Sequence, residues 1–220
     1  MLRTLAISAA ACTLSLSFPS LADSDLDFTA GAEFWNVSTK VNEVKRDTVA
    51  TGTVYASLEH PIKYLPNARL RFSSVDADYM AFDKLEATFY YQVLAHDLLH
   101  FDAGITVSDL SNSKYLDAAT VGAREKSFDE LIWAWYGYAE ITVPDTQFDV
   151  IGEMNFGDSK GIKSTDLMAG MQYKMPLEQS QLTLRAGYRV IDLESDTFAS
   201  SLGKSFIFAN GWFLGAQYHF

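Results

Sequence analysis

The sequence predicts an all-β chain that closes into an antiparallel up-and-down β-barrel of ten strands. Three observations predict it. Apolar and polar residues alternate along most of the chain, the period of a strand with one apolar and one polar face. Ten such stretches can be marked off, and ten is even. Their connections alternate in kind, short then longer, as in a meander, and a meander of this length closes on itself to abolish its edges.

The stretches follow in chain order. Residues 26–38 set Phe28 on the apolar face against Gly31 and Glu33, and 50–60 ends with Glu59 on the polar face. In 67–76 the polar face carries Arg69 and Arg71, and in 83–94 it carries Glu86 opposite an apolar Tyr91. The stretch 98–108 offers Asp102 and Gly104, and 129–143 offers Glu140 opposite Trp133 and Trp135. Asp149 and Glu153 belong to 147–157, Asp166 and Gly170 to 163–174. The clearest is 181–192, where Leu182, Leu184, Ala186, Tyr188 and Val190 face one way and Thr183, Arg185, Gly187 and Arg189 the other. A helix would instead stack Leu182 with Arg185, Ala186 and Arg189, which mixes the two classes. In the last, 206–220, Trp212, Leu214, Ala216, Tyr218 and Phe220 line one face, and Gly211, Phe213, Gly215, Gln217 and His219 the other.

The tight connections are "HPIKYLPN" (60–67), "AHD" (95–97), "PDT" (144–146) and "PLEQS" (176–180). The stretches 39–49, 77–82, 109–128, 158–162 and 193–205 read as outer loops. Because 77–82 and 158–162 are short, eight strands with one hairpin held apart is the alternative count.

Alternation does not say which face points outward, and the charges decide it. Lys40, Lys45, Lys63, Lys114, Lys126, Lys160, Lys163 and Lys204 fall in loops and turns, and Lys84 and Lys174 at strand ends. A water-facing sheet would carry lysine in mid-strand. The polar face instead mixes carboxylates and arginines with glycines, which suits a narrow lumen of paired ions. The expectation is a transmembrane barrel with its apolar face to lipid and aromatics near the strand ends as interfacial girdles. Its lumen is expected to be charged and largely occluded, with Glu33 and Glu59 pairing with Arg69, Arg71, Arg185 or Arg189.

The two ends fit this expectation. Residues 1–22 combine Arg3, an apolar run from Leu5 to Phe18, Pro19 and a small-x-small ending at Ala22, the pattern of a cleaved signal peptide. The mature chain, 23–220, then holds no cysteine, and 16 basic against 28 acidic residues give a net charge of −12, which disfavours nucleic acid as a partner. No linker interrupts it, so a single domain is expected.

The closing segment "FLGAQYHF" (213–220) resembles the terminal strand signal of Gram-negative outer-membrane proteins, whose final Phe is read by the barrel-assembly machinery. With the turn "EHPIKYLPN" (59–67), "FYYQVL" (89–94) and "AGYRV" (186–190), the mature chain is similar to small outer-membrane β-barrel proteins of unassigned function. The resemblance implies an outer-membrane, porin-like barrel whose partners are outer-membrane lipids and lipopolysaccharide, with periplasmic chaperones and the assembly machinery during biogenesis. It supplies no catalytic residue. Trp212, Leu214, Ala216, Tyr218 and Phe220 are the expected assembly signal. Deletion of Phe220 is therefore expected to lower the yield of heat-resistant folded barrel in the membrane; an unchanged yield refutes the signal.

No enzymatic activity, cofactor or metal is expected. Proton transfer at neutral pH calls for histidine, and His60, His96, His100 and His219 all fall at the end carrying the tight turns. The acidic groups Asp76/Asp78/Asp83 and Asp192/Glu194/Asp196 read as solvated loop surface, with Ca²⁺ or lipopolysaccharide bridging as the alternative. Two rivals to a structural or surface-interaction role stand: a narrow cation-preferring channel, and a lipid- or peptide-modifying enzyme.

Overall fold

In the computed structural model, which describes residues 26–41, 44–116, 125–195 and 205–220, ten strands form one closed barrel. They are β1 (Asp27–Val41), β2 (Val44–Glu59), β3 (Asn67–Asp76), β4 (Met80–His96), β5 (Leu99–Tyr115), β6 (Glu130–Thr142), β7 (Phe148–Ser159), β8 (Ile162–Pro176), β9 (Gln181–Ser195) and β10 (Ser205–His219). Each pairs antiparallel with its chain neighbours, and β1 pairs with β10 from Thr29↔His219 to Val41↔Ile207. The eight-stranded alternative is thereby set aside, since every predicted strand is a stave of the same barrel. The expected signal segment and Asp196 lie outside the described residues.

The start of β1, the end of β10 and the four tight turns gather at one end, here the turn end; the other is the loop end. The β7–β8 hairpin closes with only Lys160 and Gly161 between the strands, at φ 55° and 75°. Two successive left-handed residues twist as paired strands do, and glycine takes that conformation without strain. At the turn end the chain closes by backbone: the Phe220 amide donates to the Phe28 carbonyl at 3.0 Å, and the two rings pack 5.2 Å apart.

The strands run further toward the loop end than the sequence predicts. β1 and β2 consume most of 39–49, β5 continues to Tyr115, and β9 to Ser195. The reason is a change of phase. In β9, Leu184 faces out near the turn end, yet beyond Val190 the apolar residues become Ile191 and Leu193, both buried, while Asp192 and Glu194 turn outward. β1 changes the same way, from an exposed Phe34 to a buried Trp35, Val37 and Val41, and β4 changes from a buried Met80 and Phe82 to an exposed Leu85 and Phe89. The outer surface is thus an apolar belt over the turn-end two thirds and polar above it.

One seam is short. β2 and β3 share six paired positions, from Leu58↔Ala68 to Thr53↔Ser73, whereas β9 and β10 share fifteen. Beyond Thr53 the loop-end half of β2 is laddered to β1 alone.

Candidate functional site

The interior is stacked in three layers, each made by the inward residues of neighbouring strands. At the turn end lies a vestibule of about 190 Å³, walled by Tyr55, Glu59, Tyr90, His100, Asp102, Tyr136, Tyr138, Glu140, Gln217 and His219, with Arg69 and Arg185 at its inner end. Tyr55 fits because Gly31 stands opposite: a β-carbon there would come within 2.3 Å of the ring.

The middle layer is a network of ions. Arg69 grips Glu153 with both terminal nitrogens, at 2.8 and 2.7 Å, and Arg71 bridges Glu86 at 2.6 Å and Glu153 at 2.7 Å. Arg189 forms a two-pronged pair with Asp166, at 2.9 and 2.7 Å, and Lys84 bridges Asp166 at 2.7 Å and Glu86 at 2.9 Å. Arg185 reaches Glu33 at 2.9 Å and the Tyr55 hydroxyl at 2.8 Å. Five cations thus face four carboxylates in the layer, Glu33, Glu86, Glu153 and Asp166. Paired, two-pronged contacts are the geometry in which buried charges offset their desolvation.

The third layer, toward the loop end, is apolar: Val37, Val41, Val75, Met80, Phe82, Leu110, Tyr115, Phe128, Ile132, Ile162, Ile191, Leu193 and Ile207 pack into one buried cluster. Phe128 enters it from the β5–β6 connection and is pinned there. The Ser113 hydroxyl accepts the Phe128 amide at 2.7 Å while donating to Asp129 at 2.6 Å. That donation and a second from the Ser113 amide, 2.8 Å away, hold the Asp129 carboxyl below the usual carboxylate range.

Of the residues the sequence singled out, Glu33, Arg69, Arg71, Arg185 and Arg189 lie in the ion layer. Glu59 differs: it lies in the vestibule wall and accepts the Tyr90 hydroxyl at 2.8 Å, too near the turn end to meet the arginine heads that point inward. The arginines' principal partners, Glu86, Glu153 and Asp166, were visible only as members of a polar face. Lys84, expected at a strand end, is 4% exposed and sits inside the network; the extension of β4 to Met80 moves it to mid-strand. Trp212, Leu214 and Phe220 are exposed on the outer surface, with Ala216 and Tyr218 on the same strand face.

Two histidines border the vestibule, and among the described residues only one of them has a carboxylate within hydrogen-bond distance. His100 contacts Asp102 at 2.8 Å through Nε2 and the Gln92 amide at 2.8 Å through Nδ1. His219 meets the Thr29 hydroxyl at 2.8 Å, and its other nitrogen meets the Gln217 amide rather than a carboxylate that would orient it as a base.

No protein-family model matches the chain, and no curated protein matches it. Among solved structures, it resembles the β domain of the Bordetella autotransporter BrkA (10% identity over 89% of this chain and 99% of that one, TM-score 0.49). It also resembles the Pseudomonas putida toluene transporter TodX (10%, 90% and 89%, 0.39) and OmpT, an outer membrane protein of Vibrio cholerae (10%, 89% and 97%, 0.25). Each is a likeness of barrel shape alone.

Proposed function

We propose that the chain is an integral outer-membrane barrel without enzymatic activity, whose role is structural or surface-interactive and whose lumen is closed to solutes. One observation carries the closure: the ion layer and the apolar layer fill the interior in series, so an ion leaving the vestibule would meet first a layer of paired charges and then a packed apolar core.

The membrane reading rests on the outer surface. Phe34, Leu70, Phe72, Phe89, Trp135, Met154, Trp212 and Leu214, with many others, are exposed there as a continuous belt, far beyond the few hundred Å² a soluble monomer leaves open. From Trp212 to Phe220 the last strand spans about 27 Å at ~3.4 Å per residue. At a tilt of ~40° this is about 20 Å of height, near the ~25 Å apolar band of outer-membrane barrels. Aromatics mark its two edges, Trp212 and Tyr188 in edge contact at 5.1 Å toward the loop end and Tyr218 and Phe220 at 4.8 Å toward the turn end. In this setting the turn end faces the periplasm, and the belt faces outer-membrane lipid and lipopolysaccharide.

The test is single-channel current of the refolded barrel in planar bilayers. Silence is expected. Steady, cation-preferring conductance overturns closure and favours the narrow-channel reading, while turnover of lipid A or peptide by the purified barrel overturns the non-enzymatic one.

A further inference from the structure

The vestibule carries charge that the ion layer does not neutralise. Glu59, Asp102 and Glu140 line its wall, and the arginines at its inner end are directed away from them, Arg69 to Glu153 and Arg185 to Glu33. Lys174 bridges Glu140 and Asp149, and His100 lies on Asp102; for Glu59 the partner is a neutral phenol. The carboxylates stand on three different strands, and among the described residues no three His, Cys, Asp or Glu side chains gather closely enough to hold a metal ion. A point charge would satisfy Glu59 alone, since Asp102 and Glu140 have His100 and Lys174 beside them. An extended cation reaches more than one.

A second observation is independent of the acids. Tyr136 is only 5% exposed and lines the vestibule, yet its hydroxyl has no hydrogen-bond partner among the described residues. A buried phenol ordinarily finds a partner, so this one is open to a donor arriving from the cavity. Tyr90 and Tyr138 continue the same aromatic wall, and aromatic walls favour organic cations over strongly hydrated metal ions. The cavity of about 190 Å³, against ~30 Å³ for a water molecule, has room for roughly six water-sized atoms, the size of a four-carbon diamine.

We propose that the vestibule is a binding site for a short linear polyamine entering from the periplasm. One ammonium sits between Glu59 and Asp102 and the other near Glu140, with the methylenes against the tyrosines and an N–H donating to the Tyr136 hydroxyl. The site rests on the membrane orientation proposed above, which sets the vestibule toward the periplasm.

The test uses the whole barrel refolded in detergent micelles, titrated calorimetrically with 1,4-diaminobutane, n-butylamine and Mg²⁺ in turn. Saturable diamine binding is expected, at least tenfold tighter than for butylamine and undisturbed by equimolar Mg²⁺. Glu59→Gln, which keeps an oxygen for Tyr90, is expected to weaken it at least tenfold, and Tyr136→Phe about threefold, each in barrel shown folded by its heat-shifted gel migration. Asp76→Asn at the loop end is expected to leave affinity unchanged. Absence of saturable binding, displacement by equimolar Mg²⁺, or full affinity in folded Glu59→Gln overturns the site. Conductance of the same preparation separates the two claims: a silent barrel that fails to bind refutes the vestibule site alone, and a conducting barrel that binds refutes closure alone.

Discussion

Glu153→Ala is expected to destabilise the barrel by about 3–5 kcal/mol, the range seen when one member of a buried ion pair is removed. Among the described residues Glu153 is the sole carboxylate contacting Arg69, and it is shared with Arg71. Truncation leaves the first guanidinium buried with no acid partner and the second held by Glu86 and, at 3.5 Å, by Asp166. The measurement is urea titration of barrel refolded into lipid vesicles. Glu153→Gln, which restores a hydrogen-bond acceptor without charge, is expected to fall between wild type and alanine. Equal stability of wild type and alanine variant would mean that the network is solvated and does not seal the lumen.

Phe82→Ala is expected to cost a similar amount, about 3–5 kcal/mol, through lost burial and an unfilled cavity. Phe82 is 1% exposed and lies against Phe128 at 6.1 Å between ring centres. The two losses arise in different layers, so they should add in the urea titration. Their effects on current should not add. With two barriers in series, each single variant is expected to stay silent, and conductance to emerge only when both are combined. A current through Phe82→Ala alone would show that the ion layer passes ions unaided.

Much of the barrel was legible because its signal is local. The polar and apolar faces of 181–192 declare a strand without reference to any other segment, and "PDT" and "PLEQS" mark turns by their chemistry. The loop-end extensions were not read, although the information is present. In β9 the apolar residues move from even to odd positions between Val190 and Ile191, and a search for unbroken alternation stops there. A shift of phase without a turn residue means that the strand continues while its surroundings exchange, an apolar outer surface giving way to a polar one and a lumen of paired ions to an apolar core. The pairing within the ion layer was illegible for a different reason. Arg69 and Glu153 are 84 positions apart, and which carboxylate meets which arginine depends on the stagger of strands around the barrel, which no single stretch encodes. Lys84 reads as a strand-end residue because the unbroken alternation of its stretch begins only at Asp83, three residues after β4 itself begins.

The short seam between β2 and β3 acts as a depth gauge. Hydrocarbon cannot solvate an unladdered strand edge, so the loop-end half of β2, paired on one side only beyond Thr53, has to stand in water. In the membrane setting proposed above, the ceiling of the acyl-chain region on that flank therefore lies close to the level of Thr53 and Ser73. Next door, the exchange from an outward Phe34 to an inward Trp35 falls within a few residues of the same height, Glu33 being the cross-strand partner of Thr53. Backbone and side chains thus report one waterline, and the barrel cannot slide deeper into the bilayer without drowning that open edge in lipid.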